Sequence, residues 1–237
     1  VANIFTTRRF VIFGQSRAGT TLLQELLNSH PEIQCDGELL NLNQKYLANR
    51  QGYQLHRRFP LLLIYRQLWA AHRPAYGCKL LVEHLAYVRA TLTLLEKIGW
   101  KIIHVQRRDV LHQSFSLLVA LKTDRWHRQA GEALDDPLRV QITESELKDE
   151  ICKRQLMRAR ENKVMKSLSP LSLFYEDNLQ QSDDQARTLG RVFDFIGVRP
   201  HPVNSSLQPT YERPYSEIVE NYAGLCQAVE GLLTTAD

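Results

Sequence analysis

Phe10-Val11-Ile12-Phe13-Gly14-Gln15-Ser16-Arg17-Ala18-Gly19-Thr20-Thr21-Leu22-Leu23 sets an apolar run against a glycine-bounded turn and then an amphipathic stretch. Leu22, Leu23, Leu26 and Leu27 lie to one side of that stretch, so the segment reads as strand, tight turn, helix. Such a geometry points backbone N–H groups and the positive end of a helix at an anion. The phosphate-loop pattern G-x-x-x-x-G-K-[ST] would put a lysine at position 20, where this chain has Thr20. A basic residue sits three places earlier instead, at Arg17. The displaced cation points to a phosphorylated ligand held without the lysine-plus-magnesium arrangement of ordinary nucleoside triphosphatases. Gly19 allows close backbone approach, Thr20 and Thr21 add hydroxyl donors, and Arg17 can fold over an oxyanion with bidentate geometry. The plain alternative is an uneventful strand-to-helix turn.

Working outward, His30-Pro31 stops the first helix, and Ile33-Gln34-Cys35 is a short extended run before Gly37-Glu38. The spacing predicts a helix over 60–72, a strand over 77–82, a helix over 85–98 closed by Gly99, and a buried strand over 101–106. An apolar helix follows to about 121. The stretch 124–142 reads as a long polar loop, and Thr143-Glu144-Ser145-Glu146 forms a capping box for a charged helix to about 166. Leu171–Tyr175 reads as a last strand, Ser182-Asp183-Asp184-Gln185 as the cap of a helix closed by Gly197, and Pro202–Pro214 as a connection to a C-terminal helix. Apolar strands alternating with helices predict an α/β fold, a single-domain parallel sheet flanked by helices over 1–237.

A chain of 237 residues is long enough for a full core, and 43% hydrophobic with 24% charged residues is ordinary for a globular protein. The net charge of +4 is too small to argue for nucleic acid. The four cysteines show no C-x-x-C pair and read as reduced thiols. The eight histidines contain no H-E-x-x-H, so no metal site is expected. No segment approaches a bilayer-spanning length and no basic-then-apolar leader is evident, which places the protein in the cytoplasm as an expectation.

A second constellation, Arg107-Arg108-Asp109-Val110-Leu111-His112-Gln113-Ser114-Phe115-Ser116, also sits where a buried strand meets a helix. In a parallel sheet both loops emerge at the carboxyl edge, where α/β proteins bind ligands. Arg108 and Ser116 are eight residues apart, and both can reach toward a ligand across that edge. Ser116 alone would be a helix serine bonded to its own backbone, and Asp109 reads as the helix N-cap.

Together these segments resemble the sulfotransferases that use 3′-phosphoadenylyl sulfate (PAPS) as donor and release PAP. That family reads the phosphosulfate with R/K-S-G-T-T, matched here by Arg17-Ala18-Gly19-Thr20-Thr21 with Ala18 in place of the usual serine. It reads the 3′-phosphate with an Arg and a Ser eight apart, matched by Arg108 and Ser116. Asn28-Ser29-His30-Pro31-Glu32, Tyr175-Glu176-Asp177, Phe195-Ile196-Gly197-Val198 and Ile218-Val219-Glu220-Asn221-Tyr222 also look like the family, so the resemblance covers most of the chain. It implies a P-loop-like fold and sulfuryl transfer to a hydroxyl of a small-molecule acceptor, with no metal. Arg17, Ala18, Gly19, Thr20, Thr21, Leu22, Arg108 and Ser116 would bind the donor, and Arg17 would stabilise the leaving phosphate.

The trehalose and nodulation-factor type enzymes look most similar. In the trehalose type a glutamate shortly after the first helix is the base, and Glu38 occupies the matching place. The aryl and steroid branch uses a histidine in a K-T-H strand, which the Lys79 strand lacks; His84, His104 and Glu83 remain in reserve. Glu38 has the plain alternative of a helix-start carboxylate, Lys79 reads equally as a contact to donor or acceptor and as a surface lysine, and His104 has the alternative of a hydrogen-bonded core histidine. The 124–142 loop is a plausible acceptor lid, and the acceptor itself, whether sugar, lipid-linked sugar or natural product, is not legible. The competing readings are a P-loop kinase or triphosphatase, which lacks its lysine here, and a non-catalytic nucleotide-binding module, which would need no base.

Overall fold

Phe10, Val11, Ile12 and Phe13 are all fully buried, so the run that opens the sequence forms a strand covered on both faces. The computed structural model describes residues 6–41, 56, 58–129, 139–205, 207–208 and 213–233. In chain order these form β1 (Arg8–Gly14), α1 (Thr20–Asn28), β2 (Ile33–Glu38), α2 (Pro60–Ala70), β3 (Ala75–Leu81), α3 (Val88–Lys97), β4 (Lys101–Gln106) and α4 (Val110–Thr123). There follow β5 (Arg128–Gln129), α5 (Glu144–Met165), β6 (Leu171–Phe174), α6 (Tyr175–Asn178), α7 (Ser182–Ile196), β7 (Leu207–Gln208), α8 (Tyr215–Ile218) and α9 (Tyr222–Leu233).

The chain divides into two compact units, one of residues 1–108 with 161–205 and one of 109–160 with 206–237. The first holds a five-stranded sheet in the order β2-β3-β1-β4-β6, with every neighbouring pair parallel. This is the predicted α/β parallel sheet. Side chains alternate across it. Phe10, Ile12, Ile103, Val105 and Ala75 face α1 and α7, which supply Leu23, Leu26, Leu27, Val192, Phe193 and Ile196 to one core. Each such side chain contributes about 1.5–3 kcal/mol by leaving water. The other face carries Tyr76, whose ring meets Trp100 edge-on, and Trp100 in turn meets Tyr65 of α2.

Within the second unit, Phe115, Val119, Leu147, Ile151, Ile218, Leu225 and Val229 form a separate core. Asp109 caps α4 by accepting the His112 N–H at 2.7 Å, as expected. The capping box at Thr143 and Glu146 also forms, with the Glu146 N–H donating to the Thr143 hydroxyl and the Thr143 N–H to the Glu146 carboxylate. The short strands β5 and β7 pair antiparallel.

Several expectations shift. The strand predicted from 77 starts at Ala75, and the helix predicted from 85 starts at Val88, because Val82–His84 make a 3₁₀ turn first. Ser182 opens α7, but no side chain caps that helix, since its N-cap position falls on Gln181. The 124–142 segment contains β5 and a bridge from Val140 to Val219, while 130–138 lie outside the described residues. No described helix is long and apolar enough to cross a membrane.

Candidate active site at the carboxyl edge of the sheet

β1 ends at Gly14, where an added Cβ would lie 2.3 Å from the carbonyl oxygen of Val105 on β4. Only glycine lets the two strands run this close before the chain turns. The loop then passes through two left-handed residues, Arg17 at φ 63° and Gly19 at φ 92°. Glycine adopts that conformation freely, whereas arginine does so at a cost of about 1–2 kcal/mol. Gly19 is also the N-cap of α1, and neither a side-chain cap nor an acidic residue occupies the first turn of that helix. The start of α1 therefore keeps the positive potential that favours an anion.

Lys79 supplies a cation at the same place. It is 3% exposed, so the surface-lysine alternative is wrong. Its ammonium donates to the Thr21 hydroxyl at 2.7 Å and pairs with Glu38 Oε1 at 2.9 Å. Ala75, Gly77 and Lys79 alternate onto the α1 face of β3, and that brings the lysine to the first turn of the helix.

Glu38 reaches this face through an irregularity. Ile33 and Cys35 of β2 face α1, so regular alternation would send residue 38 to the opposite face. The register shifts between Asp36 and Glu38: Asp36 pairs with Cys78 and Glu38 with Lys79, leaving Gly37 as the extra residue of a bulge. The bulge turns Glu38 onto the lysine. Glu38 closes a strand, so it is not a helix-start carboxylate. Burial pushes its carboxyl pKa up, but the Lys79 charge and hydrogen bonds from Lys79 and Asn41 outweigh this and hold it below the ordinary 4.5. The Asn41 amide donates to Oε2 at 2.9 Å.

The ends of β3, β4 and β6 surround the loop. Glu83 Oε1 accepts both the backbone N–H and the hydroxyl of Ser16, at 2.9 and 2.8 Å. The Arg107 guanidinium stacks 4.6 Å over the Tyr175 ring and donates to the Arg17 carbonyl at 3.4 Å. Tyr175 closes the far side of the loop: a Cβ on Gly19 would lie 2.6 Å from its ring. Arg108 is half-exposed, pairs with Asp177 and lies 4.2 Å over the Phe174 ring, while Glu176 accepts its backbone N–H. Hydrogen bonding to Asp177 raises its guanidinium pKa further.

Thus Arg17, Ala18, Gly19, Thr20, Thr21, Leu22 and Glu38 gather near the end of β1, with Arg108 after β4, the next strand along the same edge. Ser116 belongs to the second unit, buried within α4. His104 is buried inside β4, 3.6 Å from the buried Glu161, a core setting. The roles of Arg107, Tyr175 and Glu83 at the loop were not legible, because each depends on which strands neighbour β1. The one available signal was position: all three lie within two residues of a strand's end.

A parallel sheet whose central strand feeds an uncapped helix through a left-handed, cation-bordered loop is a P-loop-like plan suited to holding an anion. The sulfotransferase family model matches residues 9–89, from β1 into the start of α3. Over 222 residues the chain is 26% identical to nodulation protein H of Rhizobium tropici, spanning 91% of this chain and 87% of the relative. Its fold is similar to that of a sulfotransferase from Alicyclobacillus acidocaldarius, with a TM-score of 0.50 and 15% identity over 99% of this chain and 97% of the other. It is also similar to that of a sulfotransferase from Mycobacterium avium, with a TM-score of 0.50 and 12% identity over 98% of this chain and 77% of the other. These likenesses support a sulfotransferase family for the chain, with the family model covering its loop-bearing third, and sulfuryl transfer is the class of reaction they support.

Proposed function

We propose that this protein transfers the sulfuryl group of PAPS to a hydroxyl of a small-molecule acceptor and releases PAP. The observation that carries the reading is the part-buried chain Thr21–Lys79–Glu38, which ties a candidate base directly to an anion-binding loop. A module that only bound nucleotide would have no use for a carboxylate there, and the bulge at Gly37 serves to bring one in.

The residues present fit a phosphosulfate. The N–H groups at the start of α1, Arg17 and Lys79 bring positive charge to the loop, and Arg108 keeps the assignment to the 3′-phosphate that the resemblance gives it. Sulfuryl transfer resembles phosphoryl transfer in depending on in-line positioning and on stabilising charge at the leaving oxygen. Arg17, Lys79 and the α1 N-terminus supply that stabilisation. Glu38 accepts the proton of the acceptor hydroxyl, a step worth roughly 10²–10⁴-fold when the base is well placed.

The test is Glu38→Gln. PAP should raise the melting temperature of parent and variant alike, since ligand binding to the folded state stabilises it. Turnover of PAPS with a hydroxyl acceptor, found from a panel of sugars and natural products, should fall about 10²–10⁴-fold in the variant. Unchanged turnover would move the base elsewhere, and a parent protein indifferent to PAP would remove the donor assignment.

A further inference from the structure

We infer that Glu83 is a positioning residue for the loop between β1 and α1, pinning Ser16 so that Arg17 is held in its left-handed conformation. This rests on reading that loop as the donor site. Gly14 and Leu81 are in register on β1 and β3, so the 3₁₀ turn that follows β3 lies alongside the loop that follows β1. From that turn Glu83 Oε1 takes two hydrogen bonds from one residue, the N–H of Ser16 at 2.9 Å and its hydroxyl at 2.8 Å. Charge-assisted bonds of this kind are strong and directional. They fix both the backbone and the side chain of the residue immediately before Arg17.

The next residues are gripped in turn. Arg107, following β4, donates to the Arg17 carbonyl, and Tyr175, following β6, fills the space a Cβ on Gly19 would need. Strand ends from β3, β4 and β6 thus clamp three successive points of a loop that contains a non-glycine residue at φ 63°. A backbone in that region persists only where its surroundings over-determine it. Glu83 is the strongest of the three clamps by geometry.

The same geometry separates this role from that of a base. Oε1 is occupied by Ser16, and Oε2 is buried with no hydrogen-bond partner. Neither oxygen is open to an acceptor hydroxyl. What the site takes from Glu83 is its acceptor geometry, which a glutamine would retain.

The experiment compares Glu83→Ala with Glu83→Gln in the full chain. Amide hydrogen exchange over residues 15–20 without ligand reads the clamp, and kcat together with PAP affinity reads its consequence. Glu83→Ala should speed loop exchange about tenfold or more, as loss of local protection does. It should lower kcat by about 10²-fold, the scale set by misplacement of a reacting group, with a smaller loss of PAP affinity. Glu83→Gln should restore both. Unchanged exchange in Glu83→Ala overturns the inference, and so does a glutamine variant as impaired as the alanine one. If Glu83→Ala does not fold, Ser16→Ala removes one of the two bonds and should give an intermediate rise in exchange; no rise overturns the inference. A parent that neither binds PAP nor turns over PAPS, while Glu83→Ala still loosens the loop, refutes the donor reading and leaves the clamp standing.

Discussion

Lys79 Nζ lies 2.9 Å from Glu38 Oε1, and the same ammonium donates to Thr21 at the start of α1. A lysine from the neighbouring strand thus reaches the residue beside position 20, where the loop itself has none. Burying an ammonium or a carboxylate alone is costly, and pairing them offsets much of that cost. Lys79 thus helps keep Glu38 ionised, and this makes the pH behaviour of Glu38 a direct probe of the site.

Lys79→Met should move the acid limb of kcat/KM upward. In the parent, Glu38 titrates below 4.5, so the proposed base stays ionised down to that pH or lower. Without the ammonium, burial is the dominant influence left and raises the carboxyl above 4.5. The stability signs follow. In the parent, the depressed pKa contributes stability that is present above 4.5 and is lost as pH falls through the folded-state value. In the variant, the raised pKa reverses this, so the deficit relative to parent is largest at neutral pH and shrinks as acid protonates Glu38. A pH–rate profile and a pH series of thermal melts check both halves. An unmoved acid limb would show that the pair does not govern the base.

Arg17→Ala should reduce turnover more than donor binding. A preorganised group aimed at charge that develops in the transition state typically contributes about 10²–10³-fold in rate. The remaining binding groups, the α1 N-terminus and Lys79, still hold the ground state. Measured kcat should fall by that factor while PAP affinity changes far less. Equal losses in the two would mean that Arg17 serves only to bind.

The loop and the alternation of elements were legible because each is local, while Glu38 was singled out through the resemblance. Gly14-to-Thr21 carries its own spacing, the strands at 101–106 and 171–174 are short segments built around apolar residues, and Glu38 follows the first helix at a short interval. Lys79 was misjudged in part because a lysine in sequence does not reveal its burial. That is decided by the order β2-β3-β1, which places it between Glu38 and Thr21. The bulge at Gly37 was hidden for the same reason: a glycine before a glutamate reads as a turn until the partner strand's register is known. Glu83, Arg107 and Tyr175 converge from three different strand ends, and a chain read in one dimension holds them far apart.

Glu146→Gln should lower the melting temperature modestly at neutral pH and not at all in strong acid. The Glu146 carboxyl is pulled down from 4.5 to about 2, first by the hydrogen bond from Lys122 and then by the N–H and hydroxyl of Thr143. A depressed carboxylate contributes stability that is complete above 4.5 and is lost as pH falls through about 2. Its side chain is 40% exposed, so solvent screening keeps the contribution to under about 1 kcal/mol. Melting curves of parent and variant should therefore converge between pH 4.5 and 2, and high salt should narrow the gap at pH 7. A gap that persists at pH 2 or below would point to packing rather than charge.

Gly19→Ala should abolish PAP binding for two separable reasons. The residue sits at φ 92°, where a Cβ is strained, and that Cβ would come within 2.6 Å of the Tyr175 ring. The strain alone amounts to about 1–2 kcal/mol, and the contact adds to it by pushing either the loop or the ring away. Tyr175→Leu in the alanine background removes the ring atom that the Cβ meets but leaves the backbone strain in place. It also takes away the face on which Arg107 stacks, so the double variant should regain stability without regaining full PAP affinity. Thermal melts read the first quantity and PAP titration the second. Full recovery of PAP affinity in the double variant would show that the loop tolerates alanine at φ 92° and that the Tyr175 contact alone demands glycine.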